Sequence, residues 1–357
     1  MLQHFEADCR SLLIGSLPLK DHAAAGELVF RYTPEIPLWV QLPVFAREGM
    51  LQQFLPGFPG VCNDGNRFFV DTTAPDFDAE VLAFYEEYMA VTDGGADINR
   101  TRFALGAGVA PGFAVLMDHL ATRLQAPLAV KGQVTGPFTF CTGVHDEKRQ
   151  AIFYNPQLRD AAVKMLAQKA VWQVRRLGEA GRPVIIFFDE PALAGFGTSE
   201  FISVSRDDVA ACLAEVIAAV HGAGGIAGVH VCANTDWSLI LESSTDIVNF
   251  DAYAFFDRFI LYPELIRRFF ASGKILAWGI VPTGDQNDIA RESAAALTHK
   301  WYQEVERIEK LGIDRRRIFS QSLITPSCGA GTLPVDMAEK VLRLTRAVSE
   351  RVRASFD

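Results

Sequence analysis

The chain has 357 residues, room for one large or two ordinary domains, and 49% of them are hydrophobic against 22% charged, so a sizeable core can be buried. A formal net charge of −9, with no basic stripe carrying interleaved aromatics, argues against a nucleic-acid partner. No run reaches the roughly 18–20 apolar residues of a membrane span, and the opening MLQHFEADCR lacks a basic segment followed by a long apolar one. The six cysteines are scattered through a long chain, unlike a small secreted disulfide scaffold. The expectation is therefore a cytoplasmic enzyme acting on a small molecule, with its thiols reduced and free to bind metal.

Short apolar runs recur along the chain, each closing on small or polar residues. They lie at 11–16 (SLLIGS), 38–43 (LWVQLP), 128–137 (LAVKGQVTGP) and 184–191 (VIIFFDEP), then at 227–232 (AGVHVC), 246–253 (DIVNFDAY), 275–282 (ILAWGIVP) and 318–326 (IFSQSLITP). Runs of this length predict parallel strands covered on both faces. Helical patterns fall between them: 156–180 starts on a proline and stops at Gly181, and 206–221, 258–272, 287–311 and 334–352 read similarly. The alternation predicts an α/β fold, a (β/α)₈ TIM barrel, with an open doubly wound sheet as the alternative. With no low-complexity linker and no repeat, residues 1–357 read as a single domain with an insertion around 44–127. That insertion holds a loop-like PGFPGVCNDG, a helical FDAEVLAFYEEYMAV, a candidate strand near 98–106, and a glycine-rich GAGVAPG turn entering a further helix.

Active sites of such barrels form at the C-terminal strand ends, and the polar residues there make one set: Gly15-Ser16, Gln41, Thr135-Gly136, Asp189-Glu190, His230, Cys232, Asp251 and Cys328. His230 and Cys232 are two apart on one strand, so their side chains share a face, while Val229 and Val231 point toward the helices. In a closed eight-stranded barrel the fifth and eighth strands face each other across the mouth, which brings Cys328 toward that pair. One imidazole and two thiolates suit zinc and leave a position for substrate; the competing reading is two buried structural cysteines. Asp251 is a candidate fourth ligand, or the partner that orients His230. Of Asp189 and Glu190 only one can face inward. That residue recognises a substrate ammonium or hydroxyl, or the pair caps the following helix. Ser16 either caps a helix or binds a carboxylate. His4, His22, His119, His145, His221 and His299 lack ligand spacing, and 106–112 does not match a phosphate loop.

In this order, IGSLP, VTGPFTF, FDEPALAGFG, VHVCANTDW, VNFD and SCGAGTLP resemble the superfamily uniting uroporphyrinogen decarboxylase, methylcobamide:thiol methyltransferases and cobalamin-independent methionine synthase. The resemblance spans nearly the whole chain and implies a (β/α)₈ barrel. It implies zinc on His230, Cys232 and Cys328, with Asp251 the nearest counterpart of a further glutamate. It also implies that Ser16 and Asp189 hold an amino-acid thiol such as homocysteine, with coenzyme M the other candidate thiol; Glu190 and Gln41 are further substrate-binding candidates from the strand ends. Length allows one barrel, where full-length methionine synthase has two. The loop WGIVPTGDQND lacks the histidine that protonates a departing folate. Both departures favour a methyl-corrinoid donor such as methylcobalamin, presented by a separate corrinoid protein. A folate-dependent methionine synthase-like enzyme is an alternative. A metal-free decarboxylase is a second, although IPLWVQLPVFAREG lacks that branch's arginine-rich motif. A non-catalytic subunit that docks a corrinoid protein is the third.

Overall fold

The computed structural model describes residues 5–65 and 67–356; His4 lies outside them. The strands among the described residues are β1 (Arg10–Ser11), β2 (Val61–Asn63), β3 (Phe68–Val70), β4 (Val130–Thr135), β5 (Val184–Asp189), β6 (Ile226–Val231), β7 (Ile247–Phe250), β8 (Ile275–Val281) and β9 (Ser322–Pro326). Seven of them form one curled parallel sheet in the order β1-β9-β8-β7-β6-β5-β4, and β2 and β3 form a separate antiparallel hairpin. The sheet edges at β1 and β4 are not joined by a continuous ladder. The predicted second strand lies between them and makes single parallel bridges, Ser16 to Gln41 on one side and Leu38 to Lys131 on the other. Proline at 37 and 43 flanks this segment, and a residue without an amide hydrogen cannot extend a ladder.

Every residue of β4 to β9 is buried, as expected of strands covered on both faces. Alternation sorts their side chains into two clusters. Ile185, Phe187, Ile226, Ile247, Ile275 and Leu323 pack inside the curl, while Val184, Ile186, Phe188, Val229, Val231 and Val248 join the shell between sheet and helices. Complete burial of each such side chain contributes about 1.5–3 kcal/mol.

The helices among the described residues are α1 (His22–Tyr32), α2 (Phe77–Thr92), α3 (Pro111–Thr122), α4 (Pro137–Gly143), α5 (Pro156–Gly178), α6 (Arg206–Gly222), α7 (Trp237–Leu241), α8 (Ala252–Phe259), α9 (Pro263–Ala271), α10 (Gln286–Arg291), α11 (Ala294–Glu309), α12 (Arg315–Ser320) and α13 (Val335–Arg353). α5 begins where Asn155 accepts from the amides of Gln157 and Leu158 ahead of Pro156. Two predicted helices are broken. The pattern over 258–272 divides because α8 ends at Phe259 and Pro263 opens α9. That over 287–311 divides because Ser293 caps a new helix, α11. The candidate strand near 98–106 is also corrected. Asp97 accepts from the amide of Asn99 and starts a 3₁₀ turn over Ile98–Arg100, and the Arg102 amide bonds to Glu87 instead of a ladder.

The insertion is tied to α5. Buried Lys169 donates to the carbonyls of Pro56 (2.9 Å) and Arg102 (3.3 Å), and Trp172 donates to Asn99 at 3.0 Å. No helix among the described residues is long and apolar enough to cross a membrane.

Candidate metal centre and substrate cavity

The parallel register sets a row of inward polar groups, Asp189 opposite His230 and His230 opposite Asn249. Cys232 follows on the same face of the chain leaving β6. Cys328 arrives from β9 through a tight exit. A Cβ on Gly279 would lie 2.6 Å from the Phe250 carbonyl and 2.8 Å from Ser327 Cα, so only glycine lets that exit cross β8. The Ser327 amide bonds to Val281 O at 2.8 Å and its hydroxyl accepts from the Thr283 amide at 3.1 Å. One ligand atom each from His230, Cys232 and Cys328 lies within 4.8 Å of the others, and no disulfide joins the two thiols.

The donor set fits a metal in two further respects. His230 Nε2 is buried with no hydrogen bond of good geometry, and Cys232 is the side chain that interacts with the imidazole there, an arrangement that a shared metal ion would complete. Its other nitrogen, Nδ1, meets Asn249 Oδ1, and the Asn249 amide orientation is set because Nδ2 donates to Ala277 O (2.9 Å) and Thr325 Oγ1 (2.8 Å). Nδ1 must therefore be the protonated donor, which leaves the Nε2 lone pair for the metal position. The sulfurs interact in the same sense. A hydrogen bond from Cys328 and the nearby His230 pull the Cys232 thiol down to about 4, and that same bond pushes the Cys328 thiol up. A cation bound between the two sulfurs would hold both as thiolates. These three residues would hold a zinc ion through one imidazole and two thiolates.

These residues open onto a cavity of ≈ 290 Å³ whose lining includes Ser16, Gln41, Glu48, Thr135, Asp189, His230, Cys232 and Cys328. Asp189 Oδ1 is buried there without a partner; burial raises its pKa, against the opposing pull of His230 and Lys131. Ser16 caps no helix, since Asp21 caps α1. Its hydroxyl accepts from the Gly331 amide at 3.2 Å and its carbonyl from the Ala330 amide at 3.0 Å. Ser16 thus holds the loop that carries Cys328, and its own hydroxyl proton has no acceptor among the described residues. A Cβ at Gly329 would meet Ser16 Oγ at 2.2 Å. Gln41 lines the cavity and donates to Gln53 at 2.5 Å.

Two of the predicted residues are placed otherwise. Glu190, grouped with Asp189 as a substrate contact, is absent from the lining. It turns away to accept from the amides of Phe138 (2.9 Å) and Thr139 (2.8 Å) and the Thr139 hydroxyl (2.6 Å), seating the start of α4. Gly136 has to be glycine for this, since its Cβ would lie 2.2 Å from the Glu190 carboxyl carbon. Asp251 is outside the ligand group. Its side chain caps α8 through the Ala254 amide at 2.9 Å, and Asn249 takes the orienting position beside His230. Burial, with the Cys232 charge, pushes Asp251 up to about 6.

Asn249 and Glu48 were not among the sequence candidates. Asn249 had a signal, a polar residue inside the apolar run IVNF and in phase with Asp251. Glu48 lies in the irregular insertion, where no period marks it. Its buried carboxylate accepts from the Leu42 amide at 2.9 Å and faces His22 Nε2 at 2.9 Å.

Fold and site together define an α/β protein with a curled parallel sheet whose C-terminal strand ends gather a His/Cys/Cys cluster. No protein-family model matches the chain, and no curated protein matches it in sequence. Among solved structures it is similar to the "Putative Vitamin-B12 Independent Methionine Synthase" from Listeria monocytogenes, with a TM-score of 0.50 and 14% identity, over 94% of this chain and 86% of that one. At that identity the likeness speaks for the fold.

Proposed function

We propose that the protein is a zinc-dependent methyltransferase that moves a methyl group to a thiol, on a (β/α)₈ barrel in which residues 38–41 act as the second strand. The observation that carries this reading is the convergence of His230, Cys232 and Cys328 within 4.8 Å, with His230 Nε2 lacking a hydrogen bond of good geometry at the cavity. Zinc held by these three residues would keep an acceptor thiol as thiolate near neutral pH. Asp189 offers an unpaired carboxylate to the amino group of a homocysteine-like acceptor, and the free Ser16 proton suits that acceptor's carboxylate. The cavity walls hold the sulfur in line with the donor methyl group. A methyl-corrinoid donor would supply the methyl group to the thiolate and keep the bonding electron pair on its cobalt, so that no protein acid would be needed for the leaving group.

A methyl-corrinoid donor, delivered by a corrinoid protein, is favoured because the cavity lining carries no histidine besides His230 to protonate a folate leaving group. The name of the structural neighbour favours the competing donor, since it describes a methionine synthase that works without vitamin B12. The lining is also free of arginine and lysine, which ranks porphyrinogen decarboxylation below methyl transfer.

Purified protein is expected to carry one zinc per chain. Cys232→Ser and Cys328→Ser should each lose both the zinc and methylation of homocysteine or coenzyme M by methylcobalamin. Full metal and activity in both variants sinks the assignment. Turnover with methyltetrahydrofolate in place of methylcobalamin reverses the choice of donor and leaves the zinc site intact.

A further inference from the structure

A larger cavity, ≈ 590 Å³, lies outside the site described above, within the range of small-molecule sites. Its walls come from the turn at 51–55, the β2–β3 hairpin and the loop 143–149. Leu51, Leu55 and Phe68 give it an apolar side, and Arg67, His145 and Arg149 a cationic one. Among the described residues no carboxylate is part of the lining, in a chain whose net charge is −9.

These polar groups are held in place. The Arg67 guanidinium stacks over Phe69 at 4.7 Å and donates to Glu147 O at 3.3 Å; Asp64, 3.8 Å away, offsets only part of its charge. His145 Nδ1 donates to Gly143 O at 3.0 Å, leaving Nε2 uncommitted. Arg149 has a left-handed backbone, φ 66, uncommon outside glycine, and its amide bonds back to Asp146 O at 3.0 Å. Its guanidinium has no ion-pair partner among the described residues. Phe68 is 46% exposed beside these cations.

We propose that this cavity is a second small-molecule site, for an organic dianion with an apolar body and carboxylate or phosphate groups. The apolar wall takes the body, and Arg67 and Arg149 take the anionic ends, a task that suits the planar guanidinium fork. The site adjoins the thiol cavity through one shared strap. Glu48 and Met50 face the thiol cavity, and Leu51 and Gln52 face this one.

The test is calorimetric titration of the full chain with 1-naphthyl phosphate and with naphthalene-1,4-dicarboxylate, using sodium sulfate as the bare-anion control. At least one aromatic anion should bind saturably, one per chain and more tightly than sulfate. The two probes separate phosphate from carboxylate preference. Arg67→Gln/Arg149→Gln should weaken binding at least tenfold with an unchanged denaturation midpoint, and Phe68→Ala several-fold. Cys232→Ser should bind the probe as wild type does. The proposal is overturned if neither probe binds saturably, if sulfate binds as well, or if the double arginine variant keeps wild-type affinity. Loss of binding in Cys232→Ser also overturns it, since the probe would then occupy the thiol cavity.

Discussion

Asn249 does for His230 what a carboxylate was expected to do. A neutral amide fixes the tautomer without adding charge, which leaves the imidazole a weaker donor than a carboxylate partner would make it. Asn249→Ala should lower zinc affinity roughly 10–100-fold, measured by chelator competition. Unchanged affinity would mean that the Nδ1 contact sets nothing. The sequence made the shared face of His230 and Cys232 legible, because period-two alternation is a local property. Asn249 and Asp251 are in phase, and a carboxylate at a strand end draws the eye as a ligand. Which of them meets His230 depends on the register of β6 against β7 and on the chain turning into α8 after Phe250, and neither is local.

At the level of elements, Glu190 shows how a buried carboxylate can serve the frame. Alternation tells that one of Asp189 and Glu190 faces outward; it does not tell that α4, starting some fifty residues earlier, waits there. Burial pushes Glu190 up to about 7 despite its three donors. Glu190→Gln puts an NH₂ where an oxygen accepted, so at least one donor at the start of α4 loses its bond. An expected cost of about 1–3 kcal/mol is checked by urea denaturation, with KM for the thiol unchanged. A raised KM at full stability would return Glu190 to the substrate. The runs that became β4, β5, β6 and β8 were legible to within about two residues, since continuous apolar runs have few alternative uses. The run at 318–326 instead begins in α12 and is strand only over Ser322–Pro326, that at 246–253 runs on into α8, and 11–16 and 38–43 make little or no continuous ladder. The helix breaks at Pro263 and Ser293 were missed because an amphipathic period continues across a capped restart.

On the scale of the whole molecule, the sheet encloses a cation. Lys131 is fully buried, donates to Ile14 O at 2.5 Å and lies 4.7 Å from the Phe187 ring centre. Burial pulls its pKa from 10.5 down to about 8, partly offset by Asp189. Between those values the unfolded chain binds more protons than the folded one, so this group makes stability rise with pH; below about 8 the burial cost stands in full. Lys169 acts in the same direction from about 7. Subtracting the Lys131→Met curve from the wild-type curve isolates the Lys131 part. The wild-type urea midpoint should gain on the variant's from pH 8 to 10; parallel curves would show that Lys131 does not titrate as a buried amine.

The seam at residues 38–41 has a consequence in time as well as in shape. It closes on the bonds from the Gln41 amide to Gly15 O (3.1 Å), from the Leu17 amide to Gln41 O (3.0 Å) and from the Lys131 amide to Pro37 O (2.9 Å), where β5 and β6 share a ladder of five residue pairs. Fewer ladder bonds join this segment to its neighbours than join the central strands, although Trp39 also accepts from Gln133 Nε2 at 2.9 Å and donates to Gln173 at 2.8 Å, so its opening free energy is expected to be lower than theirs. In native-state hydrogen exchange the amides of Leu17 and Gln41 should take up deuterium well before those of Phe187 and Val229. Equal protection would mean that the seam opens only with the whole sheet. Because Ser16 and Gln41 face each other across it, every such opening loosens the wall that would hold the thiol, and the seam's opening rate becomes an upper bound on any exchange of acceptor that has to pass that way.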